Sequence, residues 1–132
     1  MKKFNEASLL SQAITIYLSS LIFSVALSPL AKILYLKLYN PDLIGGGFYM
    51  YSPNLEGLLG GFIFTYFIIL SFLVFFLIKN KLLNIWLIGV SIPLLLAFIN
   101  SWKMFFWAII LSLFGYLLAR IILLAKKKLV KQ

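Results

Sequence analysis

The side chains of this chain that do acid–base or nucleophilic chemistry are few. Its carboxylates are Glu6, Asp42 and Glu56, and it has no histidine and no cysteine. Without cysteine there is no thiolate nucleophile, disulfide or thiolate metal site. Without histidine the commonest general base and metal ligand is missing. From Gly57 to Gln132 there is not one carboxylate. The richest remaining patch surrounds residues 40–56. It contains Asp42, the run Gly45-Gly46-Gly47, the amphipathic Phe48-Tyr49-Met50-Tyr51 and Glu56. With Lys32, Lys37 and Lys103, these two acids could make a small polar site. The plainer reading assigns Asp42 to the Asn40-Pro41-Asp42 turn and Glu56 to the positive end of a helix dipole. Hydrolysis or group transfer needs a base, a nucleophile or a metal. The expectation is a non-enzymatic protein without cofactor or metal, with Asp42, Phe48, Tyr49, Tyr51 and Glu56 as outer-loop contact residues.

The elements that position these residues are apolar runs. Residues 7–31, 57–78 and 82–102 carry no Asp, Glu, Lys or Arg, and 104–125 carries Arg120 alone. Hydrophobic residues make up 64% of the 132 and charged residues 11%, against about 45–50% and about 25% in soluble domains. A fold this small has too little interior to hide that much apolar surface from water. Long dry runs read as membrane spans. A span must close its backbone hydrogen bonds internally, so each is a helix.

The expected fold is an all-α integral membrane protein in a single domain, residues 1–132. Four transmembrane helices are expected over about 7–28, 55–78, 82–99 and 104–125. A single helix over 8–39 would be about 48 Å long against a hydrocarbon core of about 30 Å. Ser28 as N-cap with Pro29 at the first helical position therefore predicts a separate interfacial helix over 30–39. A Gly-rich, aromatic outer loop follows over 43–54. Lys79-Asn80-Lys81 and Asn100-Ser101-Trp102-Lys103 are short connections, which make the last three helices antiparallel neighbours.

The basic residues alternate by side. Lys2, Lys3, Lys79, Lys81, Arg120, Lys126, Lys127, Lys128 and Lys131 fall on one side, and Lys32, Lys37 and Lys103 on the other. That split predicts an integral plasma (inner) membrane protein with both termini cytoplasmic. Tyr35, Tyr39, Tyr49, Tyr51, Trp102 and Trp107 would form an outer aromatic belt. The net charge of +9 flanks hydrophobic spans. It points to the bilayer and to anionic headgroups at the cytoplasmic lysines, and not to nucleic acid. A rival reading makes Met1–Ala26 a signal peptide ending at Ser24-Val25-Ala26. Ser11, Gln12, Thr15, Ser19 and Ser20 are polar for its hydrophobic region.

Two patterns remain. Ser8, Gln12, Thr15 and Ser19 follow helical spacing and form a candidate polar track. Membrane hydroxyls more commonly bond their own helix or pack against neighbours. Gly57, Gly61 and Thr65 form a small-residue row, as do Ala108, Ser112, Gly115 and Ala119, and both suit close helix packing. The size and span count are similar to those of the small multidrug resistance exporters. That family uses a membrane-embedded Glu in its first helix, where this chain offers Gln12. The expected role is an accessory or structural subunit of a membrane assembly, as a homo- or hetero-oligomer. The alternative is a small homo-oligomeric transporter or channel lined by the first helix.

Overall fold

The computed structural model describes residues 8–39, 53–77, 82–100 and 102–129. Four helices account for all of them but Ser8: α1 Leu9–Tyr39, α2 Pro53–Leu77, α3 Leu82–Asn100 and α4 Trp102–Leu129. Three of these are long and apolar enough to cross a membrane, and α3 holds a shorter apolar stretch, Asn84–Ile99. Asp42, Phe48, Tyr49, Tyr51 and residues 43–52 of the expected loop lie outside the described residues, whereas Pro53 and Asn54, expected in that loop, already belong to α2 because proline suits a first helical turn.

The expected break at Pro29 is not there. α1 runs through it as one helix of 31 residues, so residues 30–39 are not a separate interfacial helix. Proline lacks an N–H and would leave the carbonyl four residues earlier, that of Val25, without its donor. The Ser28 hydroxyl takes that role and donates to Val25 O at 3.0 Å. Ser28 thus mends the helix instead of capping a new one. α4 also runs past the expected end at Ala125, carrying Lys126, Lys127 and Lys128 as far as Leu129. Lysine is a good helix former, and its charge favours a helix C-terminus.

α2 is the centre of the fold and contacts α1, α3 and α4. Its Phe64, Phe67, Leu70 and Val74 are buried, so two of its phenylalanines are core. The buried stripe of α1 is Gln12, Ile16, Ser20, Ser24, Ser28 and Tyr35. Tyr35 is fully buried and its ring meets Phe64 edge-on at 5.3 Å. It is therefore a core residue and not part of the expected belt, because Gly60 on α2 leaves room for its ring. Trp102 is exposed, whereas Trp107 is half-buried against Phe64.

Candidate functional site

The helix seams are built on small residues. Gly57 faces the stem of Lys32, and Gly61 faces the backbone of α1 itself. A Cβ on Gly61 would lie 2.5 Å from the Ser28 carbonyl oxygen and 2.7 Å from Lys32 N. One turn on, the Thr65 hydroxyl donates to Gly61 O at 2.8 Å and lies 3.3 Å from Ser24 O on α1. On α4, Ala108, Ser112, Gly115 and Ala119 are all buried. Gly115 sits against the Ile68 carbonyl and the Ser71 side chain of α2.

The candidate polar track does not form one surface. Ser8 and Thr15 are exposed, Ser19 is half-buried, and Gln12 is buried in the stripe that faces α2. Over many turns the buried stripe follows four-residue steps, and Gln12 leads to Ile16, Ser20 and Ser24. The hydroxyls are turned onto backbone: Thr15 donates to Ser11 O at 2.8 Å, Ser20 to Ile16 O at 2.8 Å and Ser24 to Ser20 O at 2.6 Å. This back-bonding removes their lone donors from the surface of the helix.

A tyrosine node joins three helices, and neither of its tyrosines stands out in the sequence. Pro93 deprives the Gly89 carbonyl of its helical donor, and Tyr66 on α2 donates to it at 3.1 Å. Tyr17 on α1 donates to Ile85 O at 2.6 Å, with its ring against Gly89. One signal was available. A phenol in an apolar span needs an acceptor, and a mid-span proline leaves one unused.

Two grooves flank this core. One, of about 690 Å³, is bordered by Leu21 of α1, Phe62 and Tyr66 of α2, Pro93 and Leu96 of α3, and Met104 of α4. The other, of about 380 Å³, lies between α2, α3 and α4 and has aromatic walls: Phe75, Trp86 and Tyr116. Trp86 donates its indole N–H to Ser71 Oγ at 2.8 Å. Ser112 borders the same groove, and its buried Oγ has no hydrogen-bond partner among the described residues.

Glu56 and Lys103 sit in first turns of helices, whereas Arg120 lies nine residues before the end of α4. Glu56 lies half-buried in the first turn of α2, with a buried Oε1 that accepts no hydrogen bond among the described residues. Arg120 folds toward Tyr116 instead of toward the tail. Its Nε donates to Tyr116 Oη at 3.0 Å, and its guanidinium stands 5.4 Å from the ring centre. Among the described residues no group of three His, Cys, Asp or Glu comes together. Comparison with protein-family models, curated proteins and solved structures gives no match.

Proposed function

We propose that this chain is an integral membrane protein with four spans, both termini in the cytoplasm, and a non-enzymatic role as an accessory or structural subunit of a membrane assembly. One observation carries the reading. The outward faces of α1, α3 and α4 are mostly large apolar side chains, with few polar residues among them, while the buried Ser20, Ser24, Ser28 and Thr65 hydroxyls donate to backbone carbonyls. Leu30, Ile92, Ile99 and Ile121 are each more than 60% exposed, and a continuous apolar surface of that kind needs a bilayer or partner to cover it. α3, with 19 residues, is about 28 Å long and matches the hydrocarbon thickness of about 30 Å. α1 exceeds it, so its last turns, with Lys32 and Lys37, reach the outer headgroups.

The charge alternation supports the orientation, and the cytoplasmic lysines would meet anionic headgroups. Membrane insertion is tested by alkaline extraction, and threading by single cysteines at Ser52 and Asn80. Labelling of Asn80→Cys from outside the cell sinks the orientation. The subunit role is tested by mild-detergent purification with mass spectrometry. A defined homo- or hetero-oligomer is expected, and repeated recovery of a lone monomer sinks that role.

The exposure of Ser8 and Thr15 favours one second reading, a homo-oligomeric transporter or channel with the α1 surface at the axis. Ser8→Ala and Thr15→Val would then abolish solute flux in reconstituted vesicles, whereas Gln12, buried against α2, lies off that surface. Unchanged flux in both removes it.

A further inference from the structure

We propose that the groove between α2, α3 and α4 holds one anionic phospholipid of the cytoplasmic leaflet, with its phosphate on Arg120 and an acyl chain along the groove. The inference rests on the membrane reading above and adds to it a single site with a defined headgroup chemistry.

Arg120 is the one charged residue in the run 104–125. It is exposed, and it is turned back along α4 onto Tyr116. That places a guanidinium alongside apolar surface, where an uncompensated cation is costly. The described carboxylate, Glu56, is nineteen residues before Phe75 on α2, about 28 Å along the helix axis. Phe75 meets the Tyr116 ring at 4.7 Å, so Glu56 lies at the far end of the bundle from Arg120. The Nε donor is committed to Tyr116 Oη. The other guanidinium N–H groups form a planar fork that fits two phosphate oxygens. A zwitterionic headgroup offers the same phosphate but places its own ammonium beside it, whereas an anionic one leaves a net negative charge for Arg120, so the site favours the anionic lipid.

Tyr116 links the guanidinium to the groove, since it bonds Arg120 and borders the groove itself. Ile109, Leu113 and Tyr116 border it on α4 and, with Arg120, form one stripe at steps of four, three and four residues. Leu113 and Ile109 are exposed, so the groove opens sideways to the bilayer and not to water. Trp86, Val90 and Leu94 form its other wall on α3. From Tyr116 to Ile109 the wall extends about 10 Å along the helix, a third of the hydrocarbon core of about 30 Å. An acyl chain already in lipid gains little hydrophobic free energy by entering. The groove therefore sets shape and residence, and Arg120 sets headgroup choice. Lys126 and Lys127 lie nearly two turns further along α4 and are exposed, so they attract anionic lipid diffusely and not to this groove.

The test is native mass spectrometry of the full chain released from bilayers of equal phosphatidylglycerol and phosphatidylcholine. The wild type is expected to retain one phosphatidylglycerol in preference to phosphatidylcholine. Arg120→Gln is expected to lower that preference at least tenfold, and Leu113→Trp, which fills the groove, to lose the single-lipid adduct. The double variant Lys126→Gln/Lys127→Gln is expected to keep it. No phosphatidylglycerol adduct in the wild type overturns the site, as does an undiminished one in Arg120→Gln. An equal loss in Arg120→Gln and in the tail variant overturns it too, because the effect is then diffuse. Alkaline extraction in parallel separates the two levels. A chain that stays in the membrane without headgroup preference defeats the lipid site alone, whereas a chain that is extracted defeats the membrane reading.

Discussion

Tyr66 Oη donates to the Gly89 carbonyl at 3.1 Å, four residues before Pro93. The proline withholds a donor inside α3, and a phenol from α2 returns one. A buried carbonyl without a donor costs about 1–3 kcal/mol. Tyr66→Phe is expected to lower stability by that amount in a detergent or bicelle unfolding titration. Replacing Pro93 by Ala restores an N–H for Gly89 O. In that background the loss on Tyr66→Phe should shrink, giving a coupling of about 0.5–3 kcal/mol in the double-mutant cycle. Additive effects would refute the pairing.

The same logic applies to α1 at closer range. Ser28 Oγ supplies the Val25 carbonyl that Pro29 leaves without a donor. Ser28→Ala should cost about 1 kcal/mol, with more exchange of nearby amides in hydrogen-exchange measurements. In a Pro29→Ala background the cost should fall toward zero. An equal cost in both backgrounds would assign Ser28 a role other than mending the helix.

The α1–α2 seam predicts a rank order. At Gly61 an added methyl meets the backbone of Ser28 and Lys32, which cannot yield without moving the helix. At Gly57 it meets the Lys32 stem, whose atoms can move. Gly61→Ala should therefore destabilise by about 1–3 kcal/mol and Gly57→Ala by clearly less. A larger loss at Gly57 in the same assay would place the close approach elsewhere.

Ser112 predicts the opposite sign. Its buried hydroxyl has no partner among the described residues, so Ser112→Ala removes a desolvated polar group without orphaning another. Stability should be unchanged or raised in a thermal unfolding series. Ser71→Ala should lower it, since Trp86 would lose the acceptor at 2.8 Å. A marked loss for Ser112→Ala would reveal a partner for its hydroxyl.

Much of the architecture was legible in the chain. Dry runs of membrane length leave helix as the way to satisfy the backbone in an apolar medium, and α2, α3 and α4 begin and end within a few residues of the runs. The four-residue spacing of Gly57, Gly61 and Thr65 was equally visible, because such residues share one helix face. The break at Pro29 was misread because a local rule counts the missing N–H and not the hydroxyl one residue earlier. Tyr35 was misread for a related reason. Amphipathic residues near a span end suit an interface, but Gly60 admits this ring to the core. Gln12 was grouped with Thr15 and Ser19, since over one or two turns those positions are neighbours. Only the direction in which α1 crosses α2 separates them.

The chain by itself determined that its segments are helical and apolar, and where the positive charges fall between them. Those properties follow from backbone hydrogen bonding and transfer free energy, which depend on each segment alone. Only the tertiary structure decided which carbonyl each buried hydroxyl serves, which glycine faces backbone and which faces a side chain, and which way Arg120 turns. The glycine contacts depend on how one helix lies against another, whereas the back-bonded hydroxyls and the Arg120–Tyr116 pair are rotamer choices within one helix. Tyr66 and Gly89 are 23 residues apart in sequence, and only packing brings the phenol to the carbonyl that Pro93 left open.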